Sequence, residues 1–220
     1  MTQRQFKSLP PEQFEDRWQA ALETLIGGDG EGAVFQYKAL AIDGCASALF
    51  QLGRIYEDGL CGVEQDFTEA LTWFRHSIET VDDVASHLAV ARIYLQTTEF
   101  DPDRSLSKYH LRLLAENGVP AGNFGLGLMY HHGLGVDVDL KQAKDFYRSS
   151  AESGHLLANL RLTYLEFVEH PIKKALPLLR AWRAVRALTR KAPYDPRLGF
   201  FDDPEPGGII IDLESGRPVD

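Results

Sequence analysis

The chain has 220 residues, 44% of them hydrophobic and 25% charged, the composition of a soluble globular protein, which excludes wholesale disorder, collagen and a many-span membrane protein. Its 32 acids against 23 bases give a formal net charge of −9, the reverse of what phosphate contacts require, so no nucleic acid is expected as a partner. Two cysteines exclude a disulfide scaffold.

In chain order, the start from Met1 to Glu12 holds no apolar run, whereas a secretory signal needs roughly 7–15 apolar residues. No window nears the roughly 18 of a membrane span, and a cytoplasmic location is expected. Gly27-Gly28-Asp29-Gly30-Glu31-Gly32 looks like a phosphate loop only on the surface. It lacks the Lys-Ser/Thr ending and carries acids that repel phosphate, so it reads as a turn between helices.

From Gly44 the sequence begins to repeat itself. Leu52-Gly53-Arg54-Ile55-Tyr56-Glu57-Asp58-Gly59-Leu60-Cys61-Gly62-Val63, then Asp66 to Ala70 and Trp73-Phe74, returns as Leu126-Gly127-Leu128-Met129-Tyr130-His131-His132-Gly133-Leu134-Gly135-Val136, then Asp139 to Ala143 and Phe146-Tyr147. Tyr56 and Tyr130 lie 74 residues apart, two periods of 37, with a worn copy between them at Ala91 to Tyr94. Ala33, Ala70, Leu106, Ala143 and Ala175, each followed four residues on by Tyr37, Phe74, His110, Tyr147 and Leu179, mark about five second helices. Worn end copies suit the capping units of a stack.

Each unit reads as two antiparallel helices. Leu49, Leu52, Ile55 and Tyr56 follow the helical i, i+3, i+4 rule, and small residues at Ala48 and Gly53, Ser86 and Ala91, Gly122 and Gly127 let neighbouring helices approach. Gly59, Gly62, Gly133 and Gly135 sit where a left-handed turn is needed. Asp66 with Glu69, and Asp139 with Gln142, read as capping boxes, and Pro102 suits a first helical position. Tyr56, Tyr94, Tyr130, Trp73, Phe74 and Phe146 read as core.

The pattern A-x3-L-G-x2-Y-x2-G-x-G-V-x2-D-x3-A-x2-[WF] resembles the Sel1-like repeat, a relative of the tetratricopeptide repeat. Its loop, Gly59 to Asp66 and Gly133 to Asp139, is the most specific part. The first copy has one extra residue at Cys61, and the middle copy has Gln96 to Phe100 in place of the glycines. The resemblance implies an all-α fold, a right-handed α-α superhelical solenoid of about five two-helix repeats with a C-terminal basic helix and an irregular tail. The solenoid would span residues 1–191, with best repeats 44–80, 81–118 and 119–154 and divergent caps 11–43 and 155–191. Residues 192–220 form a Pro/Gly-rich acidic tail.

The remaining chemistry is sparse. Cys45 and Cys61 flank a helix of about twelve residues, roughly 18 Å long, too far for a disulfide, which needs Cα atoms within about 7 Å. Some relatives carry disulfides within repeats and are linked to β-lactam binding, but this chain lacks their cysteine spacing. None of the seven histidines stands at a metal-ligand spacing, and His131-His132 read as exposed loop residues. No nucleophile elbow or His-Glu zinc motif is present. No cofactor, metal or enzymatic activity is expected.

From Pro171 to Lys191 the bases Lys173, Lys174, Arg180, Arg183, Arg186, Arg190 and Lys191 meet no acid. Four of the arginines share one helix side, with Leu178, Ala181, Trp182 and Val185 on the other. A final capping helix is the preferred reading over a membrane-surface scaffold. Beyond it, Gly208 to Leu213 reads as a short β-like segment.

The function expected is that of a bacterial, non-catalytic adaptor, with another protein held on the concave wall that first helices line in related repeats. Candidate contacts are Gln51, Arg54, Arg92, Asn123 and His132, with Arg180, Arg183 and Arg186 on the basic helix. Arg54 and Arg92 share a repeat slot and form a basic row unless they pair with Glu57, Asp58 or Glu99. The family also suggests an antidote that neutralises a secreted toxin, an acidic surface favouring encounter with a basic effector. An enzyme or ligand-binding protein with its site in the concave groove is the competing class.

Overall fold

The structure is a computed structural model that describes residues 14–97, 100–102, 104–191, 211–212 and 217–218. Among these the helices are α1 (Glu15–Ile26), α2 (Gly30–Ile42), α3 (Ala46–Asp58), α4 (Phe67–Val81), α5 (Val84–Gln96), α6 (Ser105–Glu116), α7 (Pro120–His132), α8 (Leu140–Glu152), α9 (Leu156–Glu169) and α10 (Pro171–Lys191). The chain divides into two compact units, residues 1–122 and 123–220. In the first, α1 to α6 pack each on the next, and in the second α8 packs on α9 and α9 on α10. This is the neighbour-on-neighbour order of an α-α solenoid, and the expected all-α architecture holds.

One close contact marks the two best-matched pairs. Gly53 of α3 faces the ring of Phe74 on α4, where an added Cβ would stand 2.5 Å from Cε1. Gly127 of α7 meets Tyr147 of α8 in the same way, again at 2.5 Å. Phe74 and Tyr147 are fully buried, a burial that contributes about 1.5–3 kcal/mol for a side chain of this kind. Only glycine lets the ring lie flat against the first helix.

The loop between α3 and α4 is held by backbone geometry. Gly59, Cys61 and Gly62 take φ of 63°, 53° and 86°, so the extra residue of this copy also turns left-handed. The Asp66 N–H donates to the Tyr56 carbonyl at 2.9 Å, and the Asp139 N–H makes the same bond to the Tyr130 carbonyl at 2.9 Å. Gly133 and Gly135 are left-handed as expected, at 69° and 67°.

Asp66 accepts from the N–H groups of Thr68 and Glu69, and Asp139 from those of Lys141 and Gln142. The reciprocal half of the first box is absent, because the Glu69 carboxylate takes the Trp73 indole N–H instead. Gln142 turns its side-chain amide to the Asp139 carboxylate rather than to the backbone.

The third pair corrects the sequence reading. α6 starts at Ser105, after Arg104 in a left-handed conformation with φ 55°, so Pro102 precedes the helix instead of opening it. The buried small residue is Ser107, not Leu106, and the buried large one is Leu111, not His110. In α10 the shift runs the other way, with Leu178 buried rather than Leu179, while Ala175 is exposed. Within the tail, Ile211–Asp212 pairs antiparallel with Arg217–Pro218. The rest of the Gly208 to Leu213 segment, and Glu99, lie outside the described residues.

Candidate functional site

Aromatic side chains of the repeat are spent on packing. Phe74 and Tyr94 are buried, Tyr130 stacks on Phe146 with centroids 5.5 Å apart, and Tyr56 and Trp73 pack partly buried against the first core cluster. The Lys38 ammonium lies over the rings of both, 5.8 Å and 5.6 Å from their centroids.

The two arginines of the shared slot both bind acids of their own chain. Arg54 grips Asp58 one turn on, at 3.0 and 2.5 Å. Arg92 on α5 reaches Glu57 on α3 with two bonds of 3.0 and 2.5 Å, and the two side chains are only 14% and 5% exposed. Burial pushes the Glu57 carboxyl above the ordinary carboxylate range, and the Arg92 guanidinium opposes that rise. This fork joins two consecutive first helices in the first unit. Its partners are 35 residues apart, which is why pattern alone leaves the pairing open.

His131 and His132 are not exposed loop residues. They form the last turn of α7, stack at 4.3 Å, and the Tyr147 hydroxyl lies 3.2 Å from His131 Nδ1. Burial, with positive charge on His132 and Arg161, lowers His131 to about 4, so the ring is neutral at pH 7. Asn123 lies part-buried on the same helix. On α10, Leu178 and Ala181 are buried while Arg180, Arg183 and Arg186 stay exposed, and the Arg186 guanidinium covers the Trp182 ring at 4.9 Å. The apolar side of this helix is used and its basic side faces water. Cys45 is buried and Cys61 exposed, and both are free thiols.

Sequence reasoning missed an open groove of about 670 Å³ in the first unit, within the roughly 300–1,000 Å³ range of ligand sites. It opens at the edge where each second helix hands over to the next first helix. Trp18 of α1, Phe50 and Gln51 of α3, and Val81 of α4 line it. Asp82, Asp83 and Val84 of the α4–α5 link and Leu113 of α6 complete the wall. Of the eight predicted contacts, Gln51 is among the lining residues.

Three side chains brace the groove. The buried His87 reaches Asp82 through Nε2 at 2.9 Å and His110 through Nδ1 at 2.8 Å. Burial first, then the charges of His87 and Arg75, hold His110 at about 4. A neutral His110 is free to share the bridging proton with His87. Among the described residues there is no group of three or more His, Cys, Asp or Glu able to hold a metal ion, and no helix long and apolar enough to cross a membrane.

Stacked two-helix units, closed by a left-handed glycine loop and a glycine-on-ring contact, define an α-helical repeat protein. The Sel1 repeat family model matches residues 46–79 and 120–155, the two pairs with that contact, so the chain carries Sel1 repeats over those two segments. An uncharacterized protein of Neisseria meningitidis serogroup B is 30% identical over 161 residues, 71% of this chain and 33% of that protein. The chitin synthase regulator SKT5 of Saccharomyces cerevisiae is 27% identical over 183 residues, 74% of this chain and 26% of the relative. The chain thus spans about a third or less of these curated relatives. Among solved structures, a Sel1 repeat protein from Oxalobacter formigenes shares the fold with a TM-score of 0.63 at 24% identity, covering 80% of this chain and 76% of that one.

Proposed function

We propose that the chain is a non-catalytic interaction module that binds a partner protein through side chains of its first helices. The observation that carries this reading is the division of labour within the repeat. Ring and glycine positions are spent on stacking, while Gln51 of a first helix stands on an open groove. The regulator among the relatives supports the same class. Arg54 and Arg92 already hold Asp58 and Glu57, so Gln51, Asn123 and His132 are the contacts proposed on first helices, with Arg180, Arg183 and Arg186 as a basic contact on α10. Two free thiols, one of them exposed, suit a reducing cytoplasm.

The test is site-specific photo-crosslinking in the native host. A photoreactive residue at Gln51 or Asn123 is expected to give one discrete protein adduct. The same residue at Thr80 or Glu152, exposed ends of second helices, is expected to give none. Adducts from the second-helix positions alone, or from no position, would overturn the reading.

A further inference from the structure

The groove at the handover edge is chemically one-sided. Its lining residues include the carboxylates Asp82 and Asp83 and, among the described residues, no Lys or Arg. Asp82 keeps 67% of its side chain exposed while one oxygen takes His87. Asp83 is tied to the first turn of α5 by bonds from the Ser86 N–H and hydroxyl. Both acids are therefore fixed in place at the wall. Opposite charge is what such a wall attracts, and fixed carboxylates lose little entropy on pairing.

The apolar part of the wall is equally specific. Trp18 and Phe50 offer ring surface of the kind that anchors interfaces. Ser77 lines the same wall from α4 with its hydroxyl buried, so it adds no polar handle to the apolar side of the groove.

We propose that this groove receives an extended peptide segment of a partner, setting an apolar side chain against Trp18 and Phe50 and a Lys or Arg beside Asp82 and Asp83. The inference rests on the interaction-module reading and adds to it the partner's chemistry and a docking place that includes Gln51.

The probe is a phage-displayed library of random nine-residue peptides, panned on the full chain, with selected peptides then measured by fluorescence polarisation. Enriched sequences are expected to carry Lys or Arg within two residues of an apolar residue. Val84→Arg, at an exposed rim position, is expected to weaken their binding at least tenfold, and Asp82→Asn, which removes an exposed charge of the wall, about threefold, with circular dichroism unchanged. Gln51→Lys gives the same test from the opposite wall should Val84→Arg fail to fold.

No enrichment, enrichment of acidic or uncharged sequences, or binders indifferent to both rim variants would overturn the proposal. Host adducts from Asn123 with groove-indifferent peptides would remove the groove and leave the interaction module. Groove-dependent peptides with a host adduct from Gln51 and none from Asn123 would support both and confine the partner to the groove.

Discussion

The neighbouring hairpins α3–α4 and α5–α6 meet the same packing demand with different residues. In α3–α4 a glycine admits a phenyl ring, three left-handed residues make the loop, and Asp66 caps the second helix. In α5–α6 the first-helix slot is Ala91 and the residue at the place of Phe74 is Leu111, both fully buried. Its loop has no glycine, and the cap comes from a distance. The buried Asp101 accepts the Ser107 N–H at 3.0 Å, six residues on. The two hairpins show that the repeat requires a matched volume across the pair and a satisfied helix start, and that glycine and ring are one solution of two.

The seam between these hairpins is where breaking them should cost most. Arg92→Met strips the guanidinium from a Glu57 carboxylate that is 5% exposed. A buried charge without its partner costs about 3–5 kcal/mol, so urea unfolding should lose that much. Adding Glu57→Leu should recover most of it, since a shape-filling apolar pair replaces the charges. A single-variant loss below about 1 kcal/mol would mark the fork as an ordinary surface pair.

Next in size is the glycine slot. Gly53→Ala would place Cβ 2.5 Å from the Phe74 ring, and overpacking of that kind costs about 1–3 kcal/mol. The α5–α6 hairpin suggests the repair. Combining Gly53→Ala with Phe74→Leu recreates its Ala and Leu combination, and the double variant should lose less than the sum of the two single ones. Simple additivity in a double-mutant cycle would break the analogy between the hairpins.

A smaller effect is electrostatic. His110 takes the place on α6 that Trp73 takes on α4, three residues after the buried small side chain. It is held at about 4 against an ordinary 6.5. Between those values the unfolded chain binds a proton that the folded one refuses, so stability falls as pH drops from 6.5 towards 4. Solvent screening of this partly exposed ring leaves on the order of 1–2 kcal/mol. His110→Phe should start lower, having lost the bond to His87, yet remove this ring's share of the decline. An unchanged slope would move that share to His131 and His155, which are also held at about 4.

The comparison also explains what could be read in advance. Where a hairpin uses glycines, local chemistry is written into the sequence, and the loop and slot of α3–α4 and α7–α8 were legible to the residue. Where it uses Ser107 and Leu111, the small residue is polar and the apolar Leu106 next to it is 42% exposed. Periodicity therefore picks the wrong neighbour by one. The groove was invisible for a different reason. Trp18, Phe50, Val84 and Leu113 come from four helices, and no local spacing joins them. Gln51 was found because it sits on a first helix.

Ser107 gives the finest test of how the α5–α6 hairpin manages without the motif. Its hydroxyl donates to the Ala91 carbonyl at 2.9 Å, from a site where α2, α4 and α8 carry the fully buried Ala33, Ala70 and Ala143. Ser107→Ala would make this hairpin resemble the others at that position. A neutral buried hydrogen bond is worth about 0.5–1.5 kcal/mol, and the carbonyl left behind still has its place in the α5 helix. A loss in that range by thermal and urea unfolding is expected, together with unchanged helix content. A gain in stability would mean that the hydroxyl is tolerated rather than used. The bond across this hairpin would then follow from the burial of Ala91 and Leu111, leaving the Ser107 N–H bond to Asp101 as a polar tie between loop and helix.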